Sequence, residues 1–206
     1  MTAAPHVESV EPITLDDLIK MPGRVEIIDG SIVEMTAASG EHQIIGGNIY
    51  NALYSHVAQF NLGAVFFDGL TYLMFSSVGR LKDSFVPDVS FIRLDSIMPD
   101  WQLGKPYPGI PTLAVEVVSP GDEADDIQRK LRTYLDKGTE QIWIIYPSTR
   151  QIYQYRHNGS PEVLIYQGAD QRLDVEMLFP GLELTTTMIF ALPPWAEKML
   201  KGHTKE

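Results

Sequence analysis

The chain has 206 residues, 44% of them hydrophobic, with 27 acidic against 16 basic side chains, a formal net charge of −11 and a pI near 4.8. That hydrophobic share with scattered charge supports one folded domain with a substantial core, whereas the negative balance excludes general adhesion to nucleic acid or anionic membrane, which needs a basic surface. The absence of cysteine excludes disulfides, thiolate nucleophiles and zinc–thiolate centres, so any metal must be held by oxygen or imidazole.

Nothing in the opening MTAAPHVESV joins a basic region to an apolar run, and no segment approaches the roughly 18 apolar residues of a spanning helix. A cytoplasmic protein without a membrane partner is expected. In chain order, ITLDDLIKM predicts a short capped helix, and RVEIIDGSIVEM predicts a β-hairpin turned at Asp29-Gly30. From Glu41 to Phe60 the apolar residues Ile45, Ile49, Leu53, Val57 and Phe60 recur at helical spacing, and Gly46-Gly47 permits close packing. AVFFDGLTYLMF and SFVPDVSFI follow as strands, then a Pro/Gly-rich loop from Pro99 to Pro111 and a central strand TLAVEVVS. ADDIQRKLRTYLDKG is helical in period and stopped by Gly138, and EQIWIIYP, RQIYQYRH and EVLIYQ close the pattern as strands. This order predicts an α/β fold with a mixed β-sheet flanked by helices and an N-terminal hairpin.

Within that frame two acids are out of place. Glu116 stands among valines on the central strand, and Asp88 follows Pro87 in a largely apolar run; strands buried on both faces rarely carry a carboxylate unless something pairs with it. If the two strands are neighbours, both carboxylates converge on one divalent cation, and hard oxygen ligands suit magnesium or manganese. On the following helix, Ile127, Leu131, Tyr134 and Leu135 define the inner stripe, which directs Lys130 towards the sheet. An ammonium beside two acids and a metal can orient an attacking water or stabilise charge on a phosphate.

VPD at 86–88, EV at 116–117, SP at 119–120, Lys130, Tyr134, Gly138 and IWII resemble the Uma-two family of restriction-endonuclease-like proteins, within the PD-(D/E)XK nuclease superfamily. The hairpin VEIIDGSIVEM, His42 and the late FPGLEL at 179–184 extend the resemblance over nearly the whole chain. It implies a restriction-endonuclease-like core over about 24–186 of a single 1–206 domain, with a short C-terminal tail. It further implies Asp88 and Glu116 as metal-binding acids, the Val117 main-chain carbonyl as a further ligand, and Lys130 as the catalytic lysine. The superfamily places its lysine two residues after the second acid, where this chain has Val118; in the resembling family the lysine has moved to the helix.

The expected function is a magnesium- or manganese-dependent endonuclease acting on DNA as a homodimer, with the aromatic strands after Gly138 as interface. Its rival is a catalytically silent interaction or scaffold protein of the same fold. An active enzyme should frame the acids with a basic groove. Plainer roles stand beside the catalytic ones. Asp88 could be a turn acid, Glu116 could pair with Arg132, and Lys130 could be a solvated lysine. Glu26 could be a hairpin-face acid and His42 a helix-start residue, or both could be accessories at the site's rim. Trp143, Tyr146, Tyr153 and Tyr155 read as sheet packing or a subunit interface.

Overall fold

The computed structural model describes residues 11–35, 37–158 and 160–203. The opening decapeptide and the last three residues of the expected 1–206 span lie outside the described residues. Helix α1, Leu15–Lys20, begins at a reciprocal cap: Thr14 Oγ1 accepts from the Asp17 amide at 3.2 Å, and Asp17 Oδ2 accepts from the Thr14 amide at 2.9 Å. Strands β1, Val25–Ile28, and β2, Ser31–Glu34, form the expected hairpin. Its turn residues Asp29 and Gly30 have φ of 50° and 79°, the two left-handed conformations such a two-residue turn requires. This hairpin is a sheet of its own. It is docked to the body by reciprocal main-chain bonds between Ile27 and Ser84, at 2.9 and 2.8 Å.

A six-stranded mixed sheet runs in the order β3-β4-β5-β6-β7-β8. Its strands are Gly63–Phe67, Val89–Arg93, Leu113–Val117, Gln141–Tyr146, Gln151–Asn158 and Ser160–Gln167. All pairings are antiparallel except β5 with β6, which are joined by helix α3, Ala124–Lys137, and therefore run parallel. Alternation divides the sheet into two faces. Val89, Phe91, Val115, Val117, Trp143 and Ile145 pack under Ile45, Ile49, Leu53 and Val57 of α2, Gly40–Phe60. Ile92, Ala114, Ile142 and Ile144 pack under Leu131 and Tyr134 of α3. Gly138, with φ of 98°, ends α3 and donates to Leu135 and Tyr134. Two further helices, α4 at Thr186–Ile189 and α5 at Pro194–His203, complete the described chain. No described helix is long and apolar enough to cross a membrane.

Two expected strands are shorter than their apolar runs. The 64–75 stretch leaves the ladder after Phe67, where Asp68, Met74 and Phe75 take positive φ. Its apolar residues Tyr72, Leu73 and Met74 are buried as core side chains without a continuous ladder, which strand patterning cannot distinguish from a strand. In 84–92 the regular strand begins only at Val89, because Pro87 lacks an amide to donate. Asp88 nonetheless stays in line with β4, its amide donating to Val115 O at 3.0 Å.

Candidate active site

Four chain segments bring charged groups to one cavity of about 250 Å³: the hairpin, the approach to β4, the end of β5 and the inner face of α3. Val89 lies opposite Val115, so Asp88, one residue earlier, stands level with Glu116 at the end of β5. Two residues before Val118, Glu116 emerges where β5 leaves the sheet. Glu26 enters from β1, next to the main-chain bonds that dock the hairpin, and is 4% exposed.

Lys130 is the hub. Its Nζ donates to Glu116 Oε2 at 2.7 Å and to Glu26 Oε1 at 3.0 Å, and its side chain is 12% exposed. The stripe reading is therefore correct in direction and the solvated-lysine alternative is not. Arg132 is not Glu116's partner; the ammonium takes that place, and Tyr134 donates its hydroxyl to Glu116 Oε1 at 2.8 Å. Glu26 also accepts the Val86 amide at 2.8 Å, so it is a buried structural anchor as well as Lys130's second partner, and not an outward hairpin acid. Asp88 is held on both oxygens, Oδ2 by the Val117 amide at 2.7 Å and Oδ1 by His42 Nε2 at 2.9 Å. His42 does start a helix, with its amide bound to the Ser39 cap, but its ring runs inward and its Nδ1 meets Ser119 Oγ at 3.0 Å. The sequence marks Tyr134 as a stripe residue and Ser119 as part of the SP pair, but not their polar contacts with Glu116 and His42. A buried tyrosine's need for a polar partner was the available signal for the first.

Burial pushes the Glu116 carboxyl up to about 8, and only part of that is recovered by the Lys130 charge, because Glu26 and Asp88 add negative potential nearby. Burial opposes charge on Lys130 as well, but the Glu116 and Glu26 charges outweigh it and hold the ammonium above its ordinary range. For His42, burial favours the neutral ring, yet the hydrogen bond to Asp88 and the charges of Asp88, Asp122 and Asp68 together raise it. Tyr134 is raised by burial and then by the carboxylates. One ammonium thus serves Glu26 and Glu116, while Asp88, in the same cavity, is held by His42 and the Val117 amide.

That excess of oxygen donors fits a hard divalent cation in chemistry and in charge. Among the described residues, no three Asp, Glu or His side chains are already grouped as a cation cage. Each carboxylate oxygen nevertheless has a second acceptor direction beyond the bond it makes here, so Asp88 and Glu116 retain capacity for one. The expected basic groove is absent from the cavity. Its lining carries eight carboxylates, among them Glu34, Asp68 and Asp126, and the cations Arg24 and Lys130 beside His42. Most of these acids, Glu34, Asp68, Asp122, Glu123 and Asp126 among them, lie off β4 and β5, so the surrounding sign could not be foreseen from those strands alone.

The aromatic strands do mainly what packing requires. Trp143 is fully buried with its indole N–H on Gln141 Oε1 at 3.2 Å, and Tyr146 meets Tyr153 edge to face with centroids 5.4 Å apart.

The family model named Uma2 and described as "Putative restriction endonuclease" matches residues 14–187. A crystal structure described as a "putative nuclease" from Anabaena variabilis has the same fold, with a TM-score of 0.73 at 23% identity over 87% of this chain and 98% of that one. No protein with a curated description matches.

Proposed function

The chain belongs to the Uma2 family of restriction-endonuclease-like proteins, and from that premise we propose that it is a metal-dependent endonuclease acting on DNA. Asp88 and Glu116 hold a magnesium or manganese ion, the Val117 carbonyl is a further ligand, and Lys130 is the catalytic lysine. The observation that carries the reading is the convergence of Asp88, Glu116, Glu26 and Lys130, from four separate segments, in one largely buried cavity. A divalent ion bound there supplies Lewis-acid stabilisation of the phosphate and lowers the pKa of its water. The chain's own groups do the rest. The Val117 amide and His42 hold Asp88 in one orientation, and Tyr134 does the same for Glu116. Lys130, kept charged by its two carboxylates, donates to a phosphate oxygen as negative charge builds on it. We also assign the chain to one domain with its core over about 24–186, working in the cytoplasm.

A homodimer completes the proposal, since cutting both strands with one site per chain is simplest under two-fold symmetry. The β7–β8 face offers the surface: Tyr153 and Tyr155 lie opposite Ile165 and Val163, and those two β8 residues are about half exposed. Light scattering at high protein concentration should give twice the chain mass, and a monomer mass would remove the dimer.

The acidic lining favours the rival reading, a silent scaffold of the same fold. Incubating supercoiled plasmid with the protein and magnesium or manganese decides between them. Cleavage by wild type and its loss in Asp88→Asn supports the enzyme; an intact plasmid with either ion supports the scaffold.

A further inference from the structure

The cavity's two lining cations are differently situated. Lys130 is enclosed, bound to both Glu26 and Glu116. Arg24 stands where the cavity meets solvent, its side chain 45% exposed, with Nη2 against Asp68 Oδ1 at 2.5 Å. It lies two residues before Glu26 and its carbonyl accepts the Met35 amide at 3.0 Å, so it continues the β1 ladder and shares Glu26's side of the hairpin. Its partner does not depend on it. Asp68 Oδ2 also accepts from Gln43 Nε2 at 3.1 Å, so Asp68 keeps a partner when the guanidinium leaves.

A polyanion entering a cavity with eight lining carboxylates needs a cation that is free to move, and Lys130 is committed inside. A guanidinium binds a phosphate, as it binds a carboxylate, through two parallel hydrogen bonds, and an exposed ion pair is weak enough for one anion to replace the other. We propose that Arg24 is the entry-side phosphate-binding residue, exchanging Asp68 for a phosphodiester of the nucleic-acid strand next to the one at Lys130. Asp68 is then a built-in competitor, standing in for the phosphate until a strand arrives. This rests on the nuclease reading and adds to it which residue receives the strand.

The test is fluorescence anisotropy of fluorescein-labelled oligodeoxynucleotides, single-stranded and duplex, titrated with full-length protein in calcium at low salt, so that binding is read without turnover. Arg24→Ala should weaken binding about tenfold, the loss of one charge-assisted contact, and flatten the log–log salt dependence by about one phosphate. Asp68→Asn should do the opposite and tighten binding a few-fold, by the modest strength of an exposed pair. Asparagine tolerates the φ of 43° at this position and can still accept from Gln43, so that variant keeps the fold. Inorganic phosphate should compete only weakly. Arg24→Ala binding like wild type, or Asp68→Asn weakening binding alongside it, would overturn the assignment and leave the nuclease reading standing, with the pair reduced to a clasp between hairpin and body. Full competition by inorganic phosphate would also overturn it, making the site one for free anions. No binding of either oligonucleotide by wild type would overturn the nuclease reading together with this one.

Discussion

Glu116 shares one ammonium with Glu26 in a cavity that also holds Asp88, and the metal-free chain's response to pH follows from that shortage. Its carboxyl is raised from an ordinary 4.5 to about 8. A group raised on folding contributes stability that is full below its unfolded value and lost as pH rises through its folded value. His42 is raised too, so its contribution has the same sign and is lost above its ordinary 6.5. The melting temperature in chelator should therefore fall between about pH 5 and 8, by an amount worth a few kcal/mol at most. Glu116→Gln should remove most of that slope and leave the part due to His42. A wild-type melting temperature that climbs across this window would contradict the charge balance described. These residues were unequally legible. Glu116, Asp88 and Lys130 were visible because each broke an apolar pattern of known period. Glu26 and His42 sit in stretches where an acid or an imidazole is ordinary, and only the docking of the hairpin and the inward turn of the α2 start reveal their partners.

Among the elements, α3 rather than the end of β5 supplies the ammonium that meets Glu116 and Glu26. Val118 lines the same cavity, with its amide fixed to Ile145 O at 2.9 Å, so strand and helix offer two routes for an ammonium to the same carboxylates. Lys130→Ala should reduce cleavage about a hundredfold or more, as losing one charge-stabilising donor does. It should also destabilise the metal-free fold by about 3 kcal/mol or more, because two buried carboxylates lose their cation. Adding Val118→Lys to that variant should restore cleavage, measured on plasmid, and raise the melting temperature again. Undiminished cleavage by Lys130→Ala would remove the lysine from the mechanism. The elements themselves were readable wherever period and punctuation agreed. Asp29-Gly30, Gly138 and the α2 stripe predicted a turn, a helix end and a packed face that the fold contains. The stretch from Asp68 to Phe75 was misread because burial without a ladder leaves the same apolar signature as a strand.

At the scale of the whole molecule, a chain of net charge −11 presents an acidic cavity to a proposed polyanionic substrate. Fold and charge therefore point in different directions, and composition alone could not resolve them: a mixed sheet with α2 and α3 on opposite faces follows from the order of elements, whereas the convergence of three carboxylates depends on how a separate hairpin docks. A cation bound at the proposed site would reconcile the two by neutralising the acids that repel a phosphate, so the nuclease reading turns on metal binding. Calorimetric titration of manganese into the metal-free chain tests it most directly. Saturable binding is expected for wild type, with loss of that binding in Asp88→Asn and in Glu116→Gln, and equal or tighter binding in Lys130→Ala, where a competing positive charge is gone. Absence of saturable heat in wild type, or a Glu116→Gln chain that binds manganese as wild type does, would contradict it.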